Sequence, residues 1–195
     1  NAMRKAELRP WARVCLLAGC VLILAAGVLG SVRAAGECRV RRALPELTQR
    51  LAALIPERTQ AVSGMQTEMR LPAIELGGEM LCGLMEVSES GVMLPVFASF
   101  DRTNGARRPA VYAGSPDAGT LILGGNADCF AFVQVLQGGE TVRFTDLTGR
   151  TFSYVVDKIR HAKSLAEGLS AETAELTLFV RLHGSYLMVF CGEAG

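Results

Sequence analysis

Hydrophobic and polar positions divide the chain into three regimes. Residues 14–32, VCLLAGCVLILAAGVLGSV, run apolar without a charge. At a helical rise of about 1.5 Å per residue, such a run roughly spans the hydrocarbon core of a bilayer. Between 43 and 54, Leu44, Leu47, Leu51 and Leu54 recur at spacings of three and four. That places them on one helical face and predicts a stalk helix, followed by Pro56, that packs on the domain beyond it. Residues 61–70 are polar and aperiodic and read as a linker. From about Leu71 the period changes to two. Val142 and Phe144 alternate with Thr141, Arg143 and Thr145; after Asp146-Leu147-Thr148-Gly149, Phe152, Tyr154 and Val156 alternate with Thr151, Ser153 and Val155. This predicts a β-hairpin whose glycine takes the positive φ of the turn. Further strands are expected at 82–87, 94–97, 120–123, 176–182 and 186–191, and short helices at 130–136 and 164–169. Several short strands with Gly-rich turns predict an all-β closed barrel or sandwich.

Charge gives the apolar run a direction. Arg4, Lys5, Arg9 and Arg13 precede it, which by the positive-inside rule puts the N-terminus in the cytoplasm and the rest outside. Arg33, Arg39, Arg41 and Arg42 on the far side act against that bias. A cleaved signal peptide is the competing reading, since Val32-Arg33-Ala34 offers a cleavage site, but the run exceeds an ordinary signal core of about 7–15 residues. Both readings export the domain. The expected organisation is 1–13, a cloning remnant (Asn1-Ala2-Met3) and cytoplasmic basic tail; 14–32, a single-pass membrane anchor; 33–70, stalk helix and linker; and 71–195, the globular domain outside the cell membrane.

Composition removes several function classes. The net charge of +1 with no basic stripe gives nucleic acid no electrostatic footprint. Of six cysteines, only Cys82, Cys129 and Cys191 fall in the globular part; none forms a C-x-x-C pair, and they read as small buried apolar side chains. His161 and His183 are the only histidines, and neither has metal-ligand spacing to a second His or Cys. Gly77-Gly78, Gly124-Gly125 and Gly138-Gly139 punctuate turns without the Lys and Ser or Thr of a phosphate loop. Glu172 and Glu175 read as a solvated acidic face, and no cofactor is implied.

The order of short segments carries a more specific signal. Leu81-Cys82-Gly83-Leu84-Met85-Glu86-Val87 is followed by Met93-Leu94-Pro95-Val96. Val111-Tyr112-Ala113-Gly114-Ser115 precedes Leu121-Ile122-Leu123-Gly124-Gly125-Asn126. Phe130, Leu136, Gly139 and Glu140 come next, then Phe144-Thr145-Asp146 with Gly149 and Tyr154, and finally Leu176-Thr177-Leu178-Phe179-Val180-Arg181. In this order they resemble the sortase family, the cysteine transpeptidases that join surface proteins to the envelope of Gram-positive bacteria, with the nearest segments similar to class B. The resemblance implies a closed eight-stranded β-barrel with short helices and an active groove at one side.

It also implies where chemistry should reside. Sortases need a thiolate to attack a peptide carbonyl, an imidazole to carry protons, and a guanidinium to steady the developing oxyanion. The matching positions hold Arg181 for the cysteine, Asn126 for the histidine, and Tyr186 or Ser185 for the arginine. The leading expectation is therefore a non-catalytic, sortase-like domain that binds a peptide, a surface protein or a sortase partner. In that case Arg181 needs an acceptor such as Asp128 or a backbone carbonyl. The alternative is an active cysteine transpeptidase or hydrolase with relocated residues, Cys129 and His183, beside Asp128. A third is a structural surface domain whose groove has closed.

Overall fold

The computed structural model describes residues 44–56, 59–60, 71–101 and 108–194, with backbone alone at 59–60. The predicted anchor, the basic tail and the linker at 61–70 lie outside the described residues. No helix among those described is long and apolar enough to cross a membrane.

Ten strands form one sheet. They are β1 Thr59–Gln60, β2 Ile74–Leu76, β3 Glu79–Val87, β4 Val92–Phe97, β5 Ala110–Ser115, β6 Thr120–Asn126, β7 Thr141–Asp146, β8 Arg150–Ala162, β9 Leu176–Leu182 and β10 Ser185–Glu193. Eight of them close a barrel in the order β4-β3-β7-β8-β10-β9-β6-β5, with β5 returning to β4 through the parallel pair Phe97↔Ala110. β2 and β1 are short additions along β3 and β8. Closure satisfies backbone donors and acceptors that an open sheet edge would leave bare.

Alternation fills the barrel. Leu121 and Leu123 of β6, Leu176, Leu178 and Val180 of β9, and Leu187, Val189 and Cys191 of β10 all join one interior cluster with Phe144, Phe152 and Tyr154 from the β7–β8 hairpin. The hairpin turn forms as expected. Gly149 takes φ 88°, and Asp146 Oδ1 accepts from the Thr148 and Arg150 amides at 2.9 and 3.0 Å, fixing the turn by side chain as well as backbone. Asp146 is itself fully buried. Its second oxygen accepts from Arg150 Nε at 2.8 Å, and Arg150 reaches on to both oxygens of Asp117, at 2.8 and 2.9 Å, in the 3-10 turn Pro116–Ala118 between β5 and β6.

Residues 44–54 are helical (α1), and Leu44, Leu47 and Leu51 of the leucine stripe meet the barrel wall, whereas Leu54 is exposed. Leu44 and Leu51 cluster with Leu81, Leu84, Phe97, Ala110 and Cys129, and burying two leucines supplies about 3–6 kcal/mol of transfer free energy. The second helix, α2 at Leu165–Ala171, is capped by Ser164, whose hydroxyl accepts from the Glu167 amide. The helix expected at 130–136 is instead a 3-10 turn, Ala131–Gln134. Its hydrogen bonds close over three residues, from the Val133 amide to the Phe130 carbonyl and from the Val135 amide to the Phe132 carbonyl, both at 3.0 Å.

Candidate functional site

The parallel ladder between β6 and β9 sets the site. Its register runs from Leu121↔Leu176 to Asn126↔Arg181, so the two strands finish side by side. The antiparallel ladder between β9 and β10 places Tyr186 directly across from Arg181. Because side chains alternate along a strand, the inward set of β9 (Leu176, Leu178, Val180) leaves Thr177, Phe179 and Arg181 for the outer face. The backbone thus brings Asn126, Arg181 and Tyr186 to three adjoining strand positions.

Outside the barrel the floor is aromatic. Phe179 covers Gly124, where any Cβ would fall inside the phenyl ring, so the glycine is what lets the ring lie against β6. Its ring centroid lies 5.4 Å from those of both Phe100 and Tyr112 and 6.3 Å from that of Tyr186, separations at which tilted and edge-to-face rings attract. α2 lies over the same face, with Gly168 against Met188. Between the rings, Leu165 and Arg181 is a pocket of about 170 Å³. Arg181 makes no ion pair among the described residues, with Asp128 or any other carboxylate.

Asn126 serves a different purpose from Arg181 and Tyr186. Its Oδ1 accepts from the Asp128 amide at 3.2 Å, the Cys129 amide at 3.1 Å and the Cys129 thiol at 2.7 Å, while its carbonyl accepts from the Phe130 amide at 3.0 Å. This is a side-chain-built turn of the kind Asn favours. Cys129 is held in that turn at 8% exposure, in the cluster beneath α1. Asp128 is exposed on the same turn, His183 is exposed at the β9–β10 turn, and Ser185 is half-buried opposite Leu182.

A guanidinium keeps its proton at any physiological pH and is neither nucleophile nor proton carrier; the Asn126 amide oxygen is already engaged three times. Burial pushes the thiols of Cys82 and Cys191 up to about 12. Cys82, Cys129 and Cys191 are all buried. No group of three or more metal-ligating side chains occurs among the described residues.

The structure sets Arg181, Asn126 and Tyr186, the positions read from the sequence, side by side; the aromatic wall beside them was not read from it. One signal was available: Phe179 stands two residues before Arg181 on a strand and therefore shares its face. Phe100, Tyr112 and Leu165 come from separate elements and gave no such signal.

No family model and no curated protein matches this chain. Solved structures do. Sortase C1 from Streptococcus agalactiae matches with a TM-score of 0.51 at 20% identity over 63% of this chain and 71% of that one. Sortase C from Clostridium perfringens, solved with the C-terminal cell wall sorting motif, matches with a TM-score of 0.50 at 14% identity over 59% and 71%. Sortase A from Corynebacterium diphtheriae matches with a TM-score of 0.50 at 16% identity over 60% of this chain and 62% of that one. The fold is sortase-like.

Proposed function

We propose that this chain is a peptide-binding, sortase-like domain without transpeptidase activity, displayed outside a cell membrane on an anchor formed by residues 14–32. The observation that carries the reading is the strand-end pair Asn126↔Arg181, with Tyr186 across the ladder. At the three positions where the family resemblance calls for thiolate, imidazole and guanidinium stand a permanent cation, an amide committed to its own turn, and a phenol. A neighbouring fold was solved with a sorting motif, and an aromatic, cationic face beside strand ends suits a peptide occupant or a surface-protein partner. Class B ancestry belongs to the same proposal and rests on the short matching segments.

The rival is catalysis from Cys129. Its thiol points to Asn126 Oδ1 from a position 8% exposed, which favours a structural role over attack on a peptide. The discriminating experiment incubates the full chain in detergent micelles with a sorting-signal peptide. We expect binding without cleavage or transfer, and none after Arg181→Cys, because the new thiol lacks imidazole and guanidinium partners. Turnover that disappears in Cys129→Ser would overturn the reading. For the anchor, protease applied to intact cells should remove the domain, whereas a mature protein starting near Ala35 would refute the anchor and leave export standing.

A further inference from the structure

Arg181, which makes no ion pair among the described residues, stands at the rim of a pocket whose other walls are Phe100, Tyr112, Gly125, Leu165, Phe179 and Tyr186. The space, about 170 Å³, is well below the roughly 300–1,000 Å³ that encloses a drug-sized molecule or organic cofactor. It suits one side chain. Charge decides which part of a peptide this would be. The main chain of an internal segment offers Arg181 only neutral amides, so unless an Asp or Glu side chain falls beside the guanidinium, covering it strips water from a charge and returns no counter-charge. A chain end offers a carboxylate, which the planar guanidinium can grip with two parallel hydrogen bonds.

We infer that this pocket takes the C-terminal residue of a peptide, its free carboxylate on Arg181 and its apolar side chain against the rings of Phe179, Tyr112 and Phe100. The inference rests on the peptide-binding reading above and narrows it from an internal stretch to a terminus. Occupancy needs no movement of the barrel, because the rings are already held by one another and by Gly124.

The test uses the full chain in micelles, labelled with nitrogen-15, and four probes: N-acetyl-glycyl-leucine as the free acid, the same dipeptide as its amide, a sorting-signal peptide blocked at both ends, and inorganic phosphate. The free acid should shift the amide signals of Phe179, Arg181 and Tyr186 and bind about tenfold tighter than the amide, the discrimination expected of one charge-assisted hydrogen-bonded pair. Arg181→Gln should erase that difference while leaving the urea midpoint unchanged, and Arg181→Lys should keep part of it. Equal binding of acid and amide overturns the inference, as does phosphate competing as well as the acid, or shifts confined to other residues. If the blocked peptide binds while acid and amide are indistinguishable, the terminus is wrong and the peptide reading survives. If none of the peptides binds, both fall.

Discussion

Replacing Arg150 by methionine should cost the domain about 3 kcal/mol, and the structure says which carboxylate bears that loss. Arg150 bridges Asp146 and Asp117, whose side chains are 0% and 6% exposed. Asp146 Oδ1 keeps its three other donors, the Thr148 amide at 2.9 Å, the Thr148 hydroxyl at 2.6 Å and the Arg150 amide at 3.0 Å, whatever side chain stands at 150. Asp117 has both oxygens on the Arg150 guanidinium, at 2.8 and 2.9 Å. Removing one partner of a buried pair costs about 3–5 kcal/mol. The arginine side chain is 26% exposed, so water relieves part of this and the lower figure applies. Methionine retains an apolar stem of similar length over Phe152, which isolates the charge effect. In urea denaturation of the full chain in micelles, Asp117→Asn on top of Arg150→Met should recover about 1–2 kcal/mol, since a neutral amide is cheaper to leave unpaired. Asp146→Asn on the same background should recover nothing, because it also weakens the turn. A loss below about 1 kcal/mol, or better rescue by Asp146→Asn than by Asp117→Asn, would refute the assignment.

Two further outcomes follow from packing and burial. Gly124→Ala should destabilise by about 1–3 kcal/mol, because its methyl falls inside the Phe179 ring; the double variant with Phe179→Leu should regain much of it, as read by urea midpoints. Burial pushes the Cys82 and Cys191 thiols from 9.0 up to about 12, so in the unfolded chain they ionise first as pH rises. Their contribution to stability is then full below about pH 9 and lost between pH 9 and 12. The urea midpoint should fall more steeply over that range in the wild type than in the Cys82→Ala/Cys191→Ala variant, and parallel slopes would contradict the thiol origin.

The parts of the fold that were legible in the sequence are those with a clear apolar pattern. The β7–β8 hairpin announces itself because alternate residues enter the interior, and β9 and β10 as short continuous apolar runs buried on both faces. β8 was foreseen only to Val156. Its remainder through Ala162 carries Asp157, Lys158, Arg160 and His161 to solvent and is a strand because β10 pairs with it as far as Tyr186↔Ala162, an effect of the partner rather than of its own side chains. β5 escaped as a strand because its burial does not alternate. At the site, strand ends located Arg181, Asn126 and Tyr186. The pocket was invisible because its lining converges from five elements and loops, and the role of Asn126 was invisible because an amide tied to its own turn leaves no periodic trace.

The parallel pairing of β6 with β9 has a consequence for time as well as for shape. These neighbours are separated along the chain by the 3-10 turn, the whole β7–β8 hairpin and α2. The hairpins close locally, but this ladder must wait for a long loop to close, and the entropy of that closure precedes any reward from the contacts it permits. The proposed recognition face straddles that seam, so it comes into existence only when the barrel does. A partly folded chain offers no half-formed version of the pocket. Occupancy by a ligand would therefore be tied to completion of the fold, and a bound ligand would hold shut a pairing between strands distant in sequence.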